Sequence, residues 1–130
     1  MDKMKDVALL AGRVLLALMF VMAGWSKIGG YAGTQGYMEA MGVPGFMLPL
    51  VILLELGGGL AVVLGLFTRS LSVLLAGFTL MAAFIFHYQP AEQMQMLMFM
   101  KNVSVAGGFL ALAAAGAGAF SLDARLGKNW

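Results

Sequence analysis

Four polar side chains, Arg13, Glu55, Lys101 and Asn102, stand where almost every neighbour is apolar, and Lys27 and His87 lie near the ends of similar stretches. Together they offer cations, a carboxylate, an amide and an imidazole. That set suits binding an anion, donating hydrogen bonds to carbonyl oxygens or relaying a proton. A charge at the middle of a bilayer costs from about 3 kcal/mol to far more, so such groups should face protein and find partners. Glu55 is the only acid within any of the long apolar runs. It is expected to be the hub carboxylate, in reach of Arg13 from one side or Lys101 from the other. Two or three cations around one carboxylate leave positive charge to be matched by an anionic ligand, a quinone carbonyl or a lipid headgroup. The plainer alternative is a structural ion pair, with Lys27 and Lys101 snorkelling to the membrane surface. His87 reads either as an interfacial histidine or as a proton relay and quinone contact.

The elements that must hold these residues follow from hydropathy. The chain has 130 residues, of which 62% are hydrophobic and 11% charged, against roughly 25% charged in a soluble domain. So much apolar surface needs lipid as its solvent. Runs of about 20 apolar residues predict four transmembrane helices over 7–27, 47–67, 69–88 and 94–117. The expected fold is all-α: an integral membrane four-helix up-down bundle with short loops, covering 1–130 as one unit. Residues 34–41, with Thr34 as a candidate N-cap and Gly42 following, read either as a short interfacial helix or as an irregular loop. The amino-terminal apolar run is too long for a signal peptide and lacks a small-residue cleavage pattern, so it is expected to be retained. Lys3, Lys5, Arg69, Arg125 and Lys128 fall at the two ends and the second connection, which by the positive-inside rule places both termini in the cytoplasm.

Other chemistries are poorly supported. There is no cysteine, hence no disulfide, thiol redox centre or cysteine-ligated metal in this chain. The dispersed cations give no nucleic-acid footprint. Met94, Met96, Met98 and Met100 are two apart, so on a helix they do not form one face of a soft-metal site, and no metal is expected. Gly57-Gly58-Gly59 sits inside an apolar run, where helix packing or bending beside Glu55 explains it better than phosphate binding. Gly107, Ala111, Ala115 and Ala119 form a small-residue stripe that permits close helix approach, within the bundle or between protomers.

Arg13, the Gly24-Trp25-Ser26-Lys27 segment, the run from Tyr37 to Pro44, Glu55 with its glycines, His87 and Lys101-Asn102 together resemble the DoxX family over nearly the whole chain. The resemblance implies four membrane helices in the bacterial inner membrane. Some members of that family are subunits of a thiosulfate:quinone oxidoreductase, and others are linked to oxidative or thiol stress. The matching residues Arg13, Lys27, Glu55, His87, Lys101 and Asn102 carry over as ligand-binding candidates. The reading that joins these observations is a membrane subunit holding a small amphipathic or quinone-like ligand, accessory to redox chemistry and without catalysis of its own. Glu55 would orient Lys101 and Asn102, and Phe20 and Phe84 would form apolar walls. The alternatives are an assembly protein acting through homo-oligomers or a membrane redox complex and, third, a small-solute transporter.

Overall fold

The computed structural model describes residues 3–130, and among these there is no strand. Four helices are long and apolar enough to cross a membrane: α1 (Lys3–Gly29), α3 (Gly45–Leu64), α4 (Thr68–His87) and α5 (Gln93–Ala115). A shorter α2 (Tyr31–Ala40) links the first two, and a single turn, α6 (Leu122–Arg125), follows the last. At most 28% of the apolar centre of any spanning helix is buried inside the bundle. The remainder must meet lipid, and the chain is an all-α integral membrane bundle in contact with the bilayer.

The ends of the helices depart from the hydropathy reading where glycine intervenes. The second span stops at Leu64 rather than 67 because Gly65 adopts φ +76°, a left-handed conformation that terminates helices. Gly116, with φ +85°, likewise ends α5 at Ala115, short of 117. Residues 34–41 are helical rather than irregular, but α2 begins at Tyr31 with Gly30 as its cap, so Thr34 lies inside the helix and caps nothing.

The helices associate as two pairs, α1 along α3 and α4 along α5, with sparser packing between the pairs. Glycine lets α1 and α3 approach closely: a methyl group added at Gly24 would lie 2.8 Å from the Leu56 backbone nitrogen, and one at Gly59 would lie 3.3 Å from the Ala17 carbonyl oxygen. Gly107, Ala111, Ala115 and Ala119 are instead exposed on the outside of the bundle. Ala17, Phe20, Val62, Leu75, Ala76, Ala106, Phe109 and Leu112 fill the half of the bundle nearer the termini. There the Phe20 and Phe109 rings meet edge to face at 5.5 Å. The other half, under α2, is not filled.

Candidate functional site

Two of the spanning helices loosen as they enter that unfilled half. α3 makes a π-helical turn over Leu53–Gly57, and α4 makes one over Ala83–His87. Such turns insert a residue and re-aim the side chains they carry. Glu55 sits in the middle of the first and His87 at the end of the second. Between them lies a cavity of about 820 Å³, a volume typical of small-molecule sites. Its floor includes Phe20, its walls are mostly apolar, and its polar lining includes Lys27, Glu55, Thr79, His87, Lys101 and Asn102. α2 forms the cover: Met38 is buried, Tyr37 stacks on Phe86 at 5.5 Å, and the Gln35 side chain donates to the Gly45 carbonyl at 3.2 Å.

Within the cavity some charges are paired and others are not. Lys27 Nζ lies 2.8 Å from Glu55 Oε1, with the carboxylate 8% exposed and the lysine 28%. Lys27 therefore turns inward to the carboxylate instead of snorkelling. Lys101 lines the same cavity as Lys27, and among the described residues its ammonium finds only the Met19 thioether sulfur, at 3.7 Å. A thioether is a weak acceptor with no charge to give. The Asn102 side chain is 94% buried by residue, at 6% exposure, and among the described residues its amide has no hydrogen-bond partner. Thr79 Oγ1 is also buried without one. His87 Nδ1 is 2.8 Å from Gln95 Oε1, a partner that sequence reasoning passed over. Gln95 lies eight residues on, across the turn into α5, a separation at which two helices of a hairpin meet.

Two expectations about the hub are corrected by this geometry. Glu55 pairs with Lys27, so neither Arg13 nor Lys101 is its salt-bridge partner. Arg13 does not reach the cavity at all. Leu56 packs against Gly24, and eleven residues of α1 separate Gly24 from Arg13, about 16 Å along the axis. Arg13, 1% exposed, instead donates to four backbone carbonyls: Val62 at 3.1 Å, Val63 at 3.3 Å, Ala117 at 2.5 Å and Phe120 at 2.9 Å. The first two are among the final carbonyls of α3, which lack partners within the helix and attract cations. Phe84 is 60% exposed and packs outward on Tyr88 and Phe99, so it is not a wall of the cavity. Met19, Met38, Met47 and Met81 line the cavity, whereas the methionines from 94 to 100 do not.

Asp123 was also missed by sequence reasoning. It is 4% exposed and accepts from the Phe67 and Thr68 backbone N–H groups, each at 2.9 Å, and from Trp130 Nε1 at 2.7 Å. Phe67, at φ +54°, stacks on the Trp130 ring at 4.4 Å. The tail thus caps α4 from 55 residues away. Asp123 is also the acid whose charge Arg13 feels. The only available sequence signal was a lone acid among the cations of the tail.

Comparison with known proteins adds the following. The DoxX family profile matches residues 8–88. The inner membrane protein YqjF of Escherichia coli is 59% identical, with 100% of both chains covered. The inner membrane protein YphA of the same organism is 41% identical over 93% of this chain and 91% of its own. The putative oxidoreductase CatD of Bacillus subtilis is 38% identical over 65% of this chain and 63% of its own. No solved structure matches the chain.

Proposed function

Given that this chain belongs to the DoxX family of integral membrane proteins, we propose that it binds a small amphipathic or quinone-like molecule in the cavity beneath α2, as an accessory to membrane redox chemistry. One observation carries this reading. An apolar cavity of about 820 Å³ contains a half-buried ammonium and an amide that no oxygen of the described residues satisfies, and donors facing an apolar space without acceptors are unfavourable unless something else supplies them. Lys101 and Asn102 are the donors to ligand oxygens, and Phe20 and the lining methionines give the apolar wall. A quinone suits this set, because its ring would lie on apolar side chains while its carbonyls accept hydrogen bonds. The Lys27–Glu55 pair holds α1 to α3 beside the site, and the His87–Gln95 pair stands at its rim. The name of the Bacillus subtilis relative agrees in kind with a redox setting. The relatives' names and the cations at the terminal face favour a bacterial inner membrane with both termini in the cytoplasm.

The test is native mass spectrometry of the protein released from lipid nanodiscs, with every bound small molecule identified. One equivalent of a quinone or other non-phospholipid amphiphile per chain is expected, absent from a Lys101→Met, Asn102→Leu double variant. A chain that emerges empty, and whose melting temperature does not move when a short-tailed quinone is added, overturns the proposal. An assembly role has its own support in the outward stripe of Gly107, Ala111 and Ala115, beside which a methyl at Gly107 would meet nothing within 4 Å. A strictly monomeric mass in bilayers with no copurifying protein would end that reading.

A further inference from the structure

The cavity is not closed on all sides. Between α3 and α4 its rim consists of Met47 and Leu50 from one helix and Met81 and Ile85 from the other, all of them exposed. Just below, the same two helices enclose a second, almost wholly apolar groove of about 320 Å³, lined by Leu53, Gly57, Gly58, Leu71 and Leu74. Leu50 and Leu54 line both spaces, so the groove continues the cavity down the seam. That seam lies between the two helix pairs, where packing is sparse. It opens sideways, toward the hydrocarbon of the bilayer.

The charge of the cavity is as informative as its opening. Two ammonium groups, Lys27 and Lys101, face one carboxylate, Glu55, and the carboxylate is taken by Lys27. The remaining cation has a sulfur atom for company and, next to it in the chain, an amide with no hydrogen-bond partner among the described residues. A monoanion with its charge at Lys101 and an oxygen toward Asn102 would bring the site to neutrality. We propose that the occupant is a single-chain anionic amphiphile drawn from the bilayer, with its headgroup at Lys101 and Asn102 and its acyl chain lying in the α3–α4 seam. This rests on the ligand-binding reading above and adds the sign of the headgroup and the route by which it enters.

The experiment uses the full chain in nanodiscs of zwitterionic phosphatidylcholine. Four probes are compared by melting temperature and by competition: oleate, its methyl ester, acetate, and an uncharged quinone with a short isoprenoid tail. Oleate should raise the melting temperature, while the methyl ester and acetate should not. Lys101→Met should weaken oleate at least about ten-fold, and Lys101→Arg should restore most of that loss. An oleate analogue carrying a photoreactive group at mid-chain should crosslink to the seam, at Leu50, Leu53 or Leu74. If the methyl ester matches oleate, or Lys101→Met leaves oleate binding unchanged, the anionic headgroup is refuted while ligand binding stands. Acetate binding as well as oleate, or crosslinks away from α3 and α4, would refute the seam. Binding of the quinone alone refutes the anionic amphiphile and keeps the broader reading, whereas no response to any probe refutes both.

Discussion

At the end of the bundle nearer the termini, Arg13 is 1% exposed and donates to four carbonyls, and Asp123 is 4% exposed and accepts from three N–H groups. At the end beneath α2, Lys101 reaches a thioether and the Asn102 side chain makes no hydrogen bond to the described residues. Both ends bury charge, yet Arg13 and Asp123 are met by protein groups and Lys101 is not. Protein groups pair Arg13 and Asp123 at the first, as expected where charged residues hold a fold together, while the Thr68 and Ser72 hydroxyls and Arg69 Nε there stay without a partner among the described residues. The second leaves donors facing a space, as expected where a ligand completes the hydrogen bonding. Intramembrane charge therefore does not mark function by itself; the presence or absence of a protein partner separates the two roles.

The largest test of that distinction is Arg13→Met. It takes the side-chain donor from four carbonyls in a buried, low-dielectric setting, of which Val62 keeps the Gly65 N–H, and should destabilise the protein by about 3–5 kcal/mol, read by thermal unfolding in one detergent. Arg13→Lys should recover only part of the loss, because an ammonium cannot reproduce the planar fork of a guanidinium. A Met variant as stable as the parent would place Arg13 with the unfinished groups and erase the contrast.

Asp123→Ala comes next. Three hydrogen bonds to a charged acceptor disappear and α4 loses its cap, an expected loss of about 2–3 kcal/mol. In a Trp25→Phe background, which leaves Trp130 as the one indole, the emission should shift to the red as the ring leaves Phe67. Unchanged emission would mean that the stacking holds the tail without the carboxylate.

Glu55→Gln belongs between the two ends. Lys27 is 28% exposed and has four carbons of reach, so once unpaired it can turn to the membrane surface. The expected loss is therefore about 1 kcal/mol, above that of a surface change and below that of Arg13. A double-mutant cycle with Lys27→Met measures the coupling directly, and a value near zero would show that the pair does not hold α1 to α3.

How much of this was legible in the sequence depends on the range of the physics involved. The four spans were readable because lipid demands an uninterrupted apolar run, a local requirement. Their ends were less so, since Gly65 and Gly116 act through left-handed backbone conformations that hydropathy does not register. That Glu55, Lys101 and Asn102 face inward followed from the cost of burying charge in lipid. Which cation meets Glu55 did not follow, because that depends on how α1 and α3 are offset, and Gly24 against Leu56 sets the offset. The π turns that re-aim Glu55 and His87, and the return of Asp123 to α4, arise from tertiary packing and leave no local pattern.

The smallest expected effect on stability is the sharpest test of the comparison. If Lys101 and Asn102 serve a ligand and not the fold, replacing them by apolar residues of similar size removes unsatisfied polar groups from a hydrocarbon-like setting. Lys101→Met and Asn102→Leu should leave the melting temperature of ligand-free protein unchanged or raise it slightly, by less than about 1 kcal/mol in stability. The same variants should lose the stabilisation that bound ligand gives the parent, because ligand binding to the native state alone adds stability by mass action. A site kept for binding is held at some cost to the empty fold. Were either substitution to destabilise the ligand-free protein as Arg13→Met does, its side chain would have a structural partner, and the cavity would be one more finished part of the bundle.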